Sequence, residues 1–260
     1  MQINVFNTKL KSYSENPSIL LYGFLGIVLY KCWKYFINIA LIEGAQATKW
    51  RYIVEQSSHS GFRFLATFLG LIFMQKHYKE FVSEFFIGKK EIFFFNILLI
   101  IPVYFLARYL TFGYSFDGGI FFFEFFFNMS VGAFEEIFFR GIILVGLSQY
   151  FKPMASIVLS SLLFSLWHFD VVSTYVNYID IFVWSIYASL CFMYGASLLS
   201  LILFHYLWDL VFFGFGWDNY YKIPDYQIVM SVIALISFAT FCLFRNDLRK
   251  EFRNLGMERK

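Results

Sequence analysis

Residues 131–141 read VGAFEEIFFRG. Three ionisable side chains, Glu135, Glu136 and Arg140, stand in a run that is otherwise almost wholly apolar. On a helix, Glu136 and Arg140 are one turn apart and pair. Glu135 is turned by about 100° from Glu136 and finds no partner on its own helix. An unpaired carboxylate in an apolar helix is costly to bury and marks a functional position. The remaining sequence is therefore read for groups that this carboxylate works with.

Of the 260 residues, 59% are hydrophobic, 24% aromatic and 15% charged, and the mean hydropathy is +0.61. A soluble domain carries about 25% charged residues. The composition predicts an all-α polytopic membrane helix bundle, a single transmembrane domain over residues 1–260. The net charge of +3 is too small to argue for nucleic acid, and none is expected as a partner. The positive charge gathers at segment ends, where it reports orientation. Cys32, Cys191 and Cys242 are isolated and odd in number, which argues against a disulfide framework or a zinc ribbon and for buried thiols. The first 16 residues are polar and lack the apolar core of a cleavable signal. Heavy use of Phe, Ile, Lys, Asn and Tyr fits an AT-rich bacterial genome.

Hydropathy predicts eight spans: 18–42, 61–75, 92–110, 120–149, 154–169, 177–194, 197–214 and 227–244. The number falls to seven if 18–42 lies in the interface, because Lys31 and Lys34 at depth cost about 2.5–3.5 kcal/mol each. Residues 43–60 read as a mixed loop, with Arg63 at the boundary of the short second span. Pro102 predicts a kink. The run 120–149 is about 45 Å long as one straight helix against a hydrocarbon core of about 30 Å, so it must tilt, protrude or break near Gly132. Ala155, Ser156, Ser160, Ser161 and Ser165 allow close helix approach. The Phe runs 121–123 and 125–127 read as lipid-facing, Asp117-Gly118-Gly119 as a turn, and Gly195-Ala196 as the joint between two spans. With eight spans both termini share one side with the lysine-rich loop 76–91 and the basic tail 245–260. The positive-inside rule makes that side cytoplasmic. The expected location is a bacterial inner or plasma membrane.

His59 and His77 read as solvated loop residues. His168, in FSLWHF, has Phe164 one turn before it; His205, in FHYLWDL, has Asp209 one turn after it. A lone intramembrane histidine is more often a helix–helix hydrogen-bonding group. Two of them with Glu135 and Asp209, on three separate helices, point to a shared interior site. A carboxylate and an imidazole hold and deprotonate a water, and a second imidazole binds a carbonyl oxygen as it becomes an oxyanion. That is peptide-bond hydrolysis. The same Glu135, His168 and His205 are also a zinc ligand set, although HExxH spacing is absent. Proton relay in a transporter uses similar chains. No GxSxG marks a serine nucleophile. Glu124 lies three turns before Glu135, about 20° off the same face, with Asn128 between them. These residues form either a polar track towards the site or, for Glu124, a headgroup-level carboxylate.

Three motifs now stand in order: EExxxR at Glu135, Glu136 and Arg140, FxxxH at Phe164 and His168, and HxxxD at His205 and Asp209. Over about 131–211 the chain resembles the CPBP family of intramembrane proteases, which includes type II CAAX prenyl proteases and Abi-like bacteriocin-processing or self-immunity proteins. The resemblance implies a protease core over about 120–214, with Glu135 as general base assisted by His168. It implies His205 and position 209 as the oxyanion site, with Glu136, Arg140 and Phe164 in structural support. One departure is Asp209, where the prenyl-protease branch has Asn. An ionised Asp cannot donate to an oxyanion; it would orient His205 instead, or act protonated. Pairing of Glu136 with Arg140 leaves few free metal ligands, so a glutamate-type enzyme without cofactor is expected ahead of a zinc enzyme. The implied partners are the lipid bilayer and a membrane-associated peptide or protein. Other expectations are a catalytically silent scaffold binding a membrane partner and, third, a proton-coupled transporter.

Overall fold

The computed structural model describes residues 18–42, 49–77, 88–112, 118–169, 175–213 and 224–244. Among them no strand occurs, and the chain forms eight helical rods. These are α1 (Ser18–Ile42), α2 (Lys49–His77), α3 (90–112), α4 (118–150), α5 (Pro153–Trp167), α6 (Tyr175–Met193), α7 (Leu198–Phe213) and α8 (Pro224–Phe244). By length and composition alone, Ser18–Ile37, Lys90–Ala107 and Tyr175–Met193 can cross a membrane. The molecule is an all-α membrane helix bundle, as the composition predicts.

Helix α4 is the central rod. It packs against α1, α2, α5, α6 and α7, while α8 covers α6 from outside. It does not break near Gly132: it changes winding, from α-helix over Gly118–Glu135 to a π-helix over Glu136–Leu144 and back to α-helix over Val145–Tyr150. All nine π residues are buried. Gly132 instead serves close packing. A Cβ there would lie 3.1 Å from the Ile202 carbonyl oxygen and 3.2 Å from the Tyr206 amide nitrogen of α7. Main chain meets main chain at this point, one turn from the acidic pair. On the opposite side Gly26 of α1 lies flush with the Phe138 ring.

Helix α3 contains a second π turn, Asn96–Ile100, directly before Pro102. Proline lacks an N–H and crowds the preceding turn, and a wider turn there absorbs both effects. The α6–α7 joint closes at Gly195, whose φ of +103° is a glycine conformation. The Gly195 carbonyl accepts the Lys89 N–H at 2.7 Å, tying α3 to this turn.

Several expectations change. Within the supposed loop 43–60, residues 49–60 are already helical, because α2 starts at Lys49 (43–48 lie outside the described residues). Arg63 consequently stands in the middle of α2. His59 is 2% exposed, beside the Tyr30 ring and 3.7 Å from Glu55, so it is not a solvated loop residue. The side chain of His77 and the structure of 245–260 lie outside the described residues. Cys191 is buried but Cys32 is exposed, against the expectation of buried thiols. Lys31 does not break α1; its ammonium lies 4.1 Å over the Trp167 ring. Phe122, Phe125 and Phe126 are exposed to the surroundings, whereas Phe121, Phe123 and Phe127 are half-buried. On α5 the serines 156, 160, 161 and 165 are buried and Ala155 is exposed.

Gly132→Val places a branched side chain against immobile α7 backbone. It is expected to destabilise the bundle by about 1–3 kcal/mol, read as a lower midpoint in detergent-denaturant unfolding. Unchanged unfolding would contradict this packing role.

Candidate active site

The winding change on α4 falls between two adjacent carboxylates, and each goes a different way. Glu136 is fully buried. Its Oε1 accepts Arg140 Nη1 at 3.0 Å and His205 Nδ1 at 2.7 Å. Arg140, also fully buried, donates through Nη2 to Ser185 Oγ of α6 at 3.0 Å. Its guanidinium lies 4.4 Å over the Phe164 ring. The expected Glu136–Arg140 brace is present, and it reaches further than the sequence indicates, since it orients His205 across the interface with α7. Removing one partner of such a buried pair costs about 3–5 kcal/mol.

Glu135 accepts the Trp167 indole N–H on Oε1 at 3.2 Å. Its Oε2 faces two imidazoles, with His168 Nε2 at 3.7 Å and His205 Nε2 at 3.8 Å. Both separations are too long for direct hydrogen bonds, so Oε2 is buried without a hydrogen-bond donor among the described residues. The motif residues are therefore brought together from α4, the end of α5 and the middle of α7. His168 is not inside its helix but caps α5, with φ −86° and ψ 11°. That places the end of α5 against the midpoint of α7 and lets the two histidines meet.

Chemistry sets the ring orientations. A backbone carbonyl only accepts, so His168 Nδ1, 2.8 Å from the Phe164 oxygen, carries hydrogen there and leaves Nε2 as an acceptor. Phe164 thus supplies both a ring and a carbonyl, which is the local reason for the FxxxH spacing. A carboxylate likewise only accepts, so His205 Nδ1 donates to Glu136. Its Nε2 lies 3.4 Å from Asp209 Oδ2. Asp209 touches His205 and is the nearest carboxylate to that nitrogen. Phe164, Trp184 and Trp167 surround these groups with aromatic surface. The open edge lies at His168 and Asp209, whose side chains are 19% and 16% exposed.

Glu124 and Asn128 are buried and joined by a 3.0 Å bond from Asn128 Nδ2 to Glu124 Oε2. Trp167 and Ser185 carry roles that motif reading missed. For Trp167 there was a signal: a tryptophan beside His168 in an apolar helix needs an acceptor for its N–H. Ser185, one serine among many, had none.

Glu135, His168 and His205 have the donor atoms of a zinc site. Among the described residues no three such groups have ion-holding spacing. The 3.7 and 3.8 Å edges exceed the about 3.3 Å that zinc bonds of about 2.0–2.1 Å impose. As placed, the residues do not fit the ion.

A buried carboxylate thus faces two imidazoles inside the helix bundle. Residues 117–211 match the family model described as Type II CAAX prenyl endopeptidase Rce1-like, which supports the CPBP resemblance of the three motifs. The match implies CAAX-type intramembrane protease activity in general, acting on a peptide or protein. No curated protein and no solved structure matches the chain.

Trp167→Phe keeps the ring and removes the N–H from Glu135. A hydrogen bond to a charged group is worth about 1.5–3 kcal/mol, so kcat is expected to fall by roughly tenfold to a hundredfold with KM nearly unchanged. A change confined to KM would contradict a positioning role.

Proposed function

We propose that the protein is an intramembrane endopeptidase in which Glu135 activates water. The observation that carries this reading is the placement of Glu135 Oε2 between the Nε2 atoms of His168 and His205. A water held there gives one hydrogen to Glu135 and one to His168 Nε2, which aims its oxygen lone pair at a peptide carbonyl carbon. As the water oxygen bonds to that carbon, Glu135 takes the proton. The carbonyl oxygen becomes an oxyanion and accepts from a protonated His205 Nε2. Collapse breaks the C–N bond, and Glu135 delivers the proton to the leaving amine. The second water hydrogen stays on the new carboxyl group, so the products are a carboxylic acid and an amine, which exchange that proton through solvent, and every enzyme group returns to its starting state.

Asp209 orients His205 and balances its charge when both ring nitrogens are protonated, a role that needs a carboxylate and that a neutral amide does not fill. No step needs a metal ion. The substrate is a membrane-associated peptide or protein, reaching the site past the exposed edge of His168. Glu124 and Asn128 form a polar approach along α4 to Glu135. With each rod crossing once, the basic stretches 76–91 and 245–260 share the cytoplasmic side of a bacterial membrane.

Glu135→Ala is expected to abolish cleavage of a membrane-anchored peptide mixture by the purified protein, by at least a thousandfold. Wild-type cleavage should survive zinc chelation. Equal cleavage by the variant would sink the mechanism, and loss on chelation that added zinc restores would establish the metal version. Glu124→Gln is expected to slow cleavage several-fold without altering thermal stability; an unchanged rate would remove the approach track.

A further inference from the structure

The two ends of the bundle differ in charge. Residues 151–152 join α4 to α5, and residues 194–197 join α6 to α7. Both joints lie at one end. Helix α5 returns along α4, with the Ser160 hydroxyl donating to the Phe139 carbonyl, and α6 returns along α5, with Ser165 donating to the Tyr178 carbonyl. Gly141 lies against both Leu198 and Met74, which brings the close of α2 to the same end. The bond from Lys89 to Gly195 brings the start of α3 there. Helix α1 begins and α8 stops at this end too, since Gly146 lies against Leu20 and Tyr194 packs on Phe238. Lys76, Lys90 and Lys152 are exposed there. The sequence stretches that continue from it, 1–17, 78–87 and 245–260, carry Lys9, Lys11, Lys79 and the six Lys/Arg of the tail. The stretches joined to the opposite end, 43–48, 113–117, 170–174 and 214–223, carry Lys222 alone, with Glu43, Asp117, Asp170 and Asp218. Lys49, Arg51 and Arg108, near helix ends on that side, are matched by Lys76, Lys89 and Lys90. The Lys/Arg bias sets orientation, so the first end is cytoplasmic.

The catalytic groups are closed off from that end. Between it and them lie Phe139, Ile143 and Leu144 of α4, Ile157 of α5, and Leu198 and Leu201 of α7, none more than 1% exposed. Helix α4 continues roughly 20 Å past Glu135 before it ends at Tyr150. The polar residues lie on the other side. Asp209 is one turn beyond His205, and Asn128 and Glu124 stand before Glu135, all away from the exposed lysines. Helix α5 stops at His168, and His168 and Asp209 form the open edge. Polar side chains at membrane depth line a water-accessible path or a protein interior, because hydrocarbon cannot satisfy them.

We propose that the catalytic cavity opens on the extracytoplasmic side of the membrane, and that its substrate is an exported segment of a membrane-anchored peptide. This rests on the endopeptidase reading. A peptide bond made in the cytoplasm reaches Glu135 only after translocation. The reaction that supplies the substrate is therefore transport of a peptide across the bilayer, and hydrolysis follows it. The part of the peptide without the anchor is released outside the cell.

The test uses full-length protein in right-side-out and inverted vesicles from the same bacterial cells. A membrane-impermeant cationic thiosulfonate is added outside. Modification is read residue by residue by mass spectrometry, so the native Cys32, Cys191 and Cys242 stay in place. Lys152→Cys marks the basic end, and Tyr175→Cys, at a position 88% exposed, marks the other. Asp209→Cys marks the open edge. Tyr175→Cys and Asp209→Cys are expected to react roughly tenfold faster in right-side-out vesicles, and Lys152→Cys in inverted ones. The reverse pattern at the two end markers overturns the orientation. Faster reaction of Asp209→Cys in inverted vesicles overturns the opening; if that cysteine reacts in neither, the cleavage measurement decides. For cleavage, a fluorogenic N-palmitoylated decapeptide mixture ending in a sulfonated dye that does not cross the bilayer is added outside both kinds of vesicle, with wild type and Glu135→Ala compared. The Glu135-dependent rate is expected to be roughly tenfold higher in right-side-out vesicles. Equal rates, or cleavage confined to inverted vesicles, overturn the extracytoplasmic opening and leave the endopeptidase standing. Labelling of Asp209→Cys from outside, with no Glu135-dependent cleavage in either vesicle, refutes the endopeptidase and leaves the opening standing.

Discussion

One oxygen atom, Glu136 Oε1, holds the bundle's functional geometry. It accepts from Arg140 on its own helix and from His205 on α7. Arg140 then continues the chain of contacts to Ser185 on α6 and the Phe164 ring on α5. Four helices are thereby locked in register around a fully buried ion pair. In a low-dielectric interior such a network is rigid when its members are satisfied and strongly destabilising when one is lost. The constraint is electrostatic, and the apolar packing follows it.

The second constraint is the change of winding on α4. Adjacent residues on a helix cannot share a face, and here the difference is put to use. Glu136 opens the π segment and turns to the scaffold, while Glu135 closes the α segment and turns to the two imidazoles. The wider π turns are accommodated by small or flat neighbours: Gly26 under Phe138, and Ser160, whose hydroxyl donates to the Phe139 carbonyl at 3.1 Å. Such segments recur where a helix must present groups that a regular spiral would not.

The aromatic residues finish the site. Phe164, Trp167 and Trp184 enclose the ionisable groups, and exclusion of water strengthens every interaction among them. Tyr30 extends the same cluster to α1 and α2, so these helices are not merely lipid-facing covers. Lys31 over Trp167 and Arg63 over Tyr30 bring two cations to this flank. Their charges, which hydropathy counts only as penalties for insertion, are offset by ring faces.

The helical class, the eight segments and the set Glu135, His168, His205 and Asp209 were legible in the amino-acid order. A membrane interior punishes any ionisable residue without a purpose, so those few residues stand out against 59% hydrophobic composition. The spacing of four residues within FxxxH, HxxxD and EExxxR is helical geometry, and it is local. What only the tertiary structure decided was non-local. Helix α4 rewinds at Glu136 and does not break at Gly132; Glu136 serves His205 as well as Arg140; Trp167 holds Glu135; Arg63 lies among rings in mid-helix. Each depends on which faces of different helices meet. That choice is made by close packing and hydrogen-bond satisfaction across helices, which periodicity along one segment does not encode.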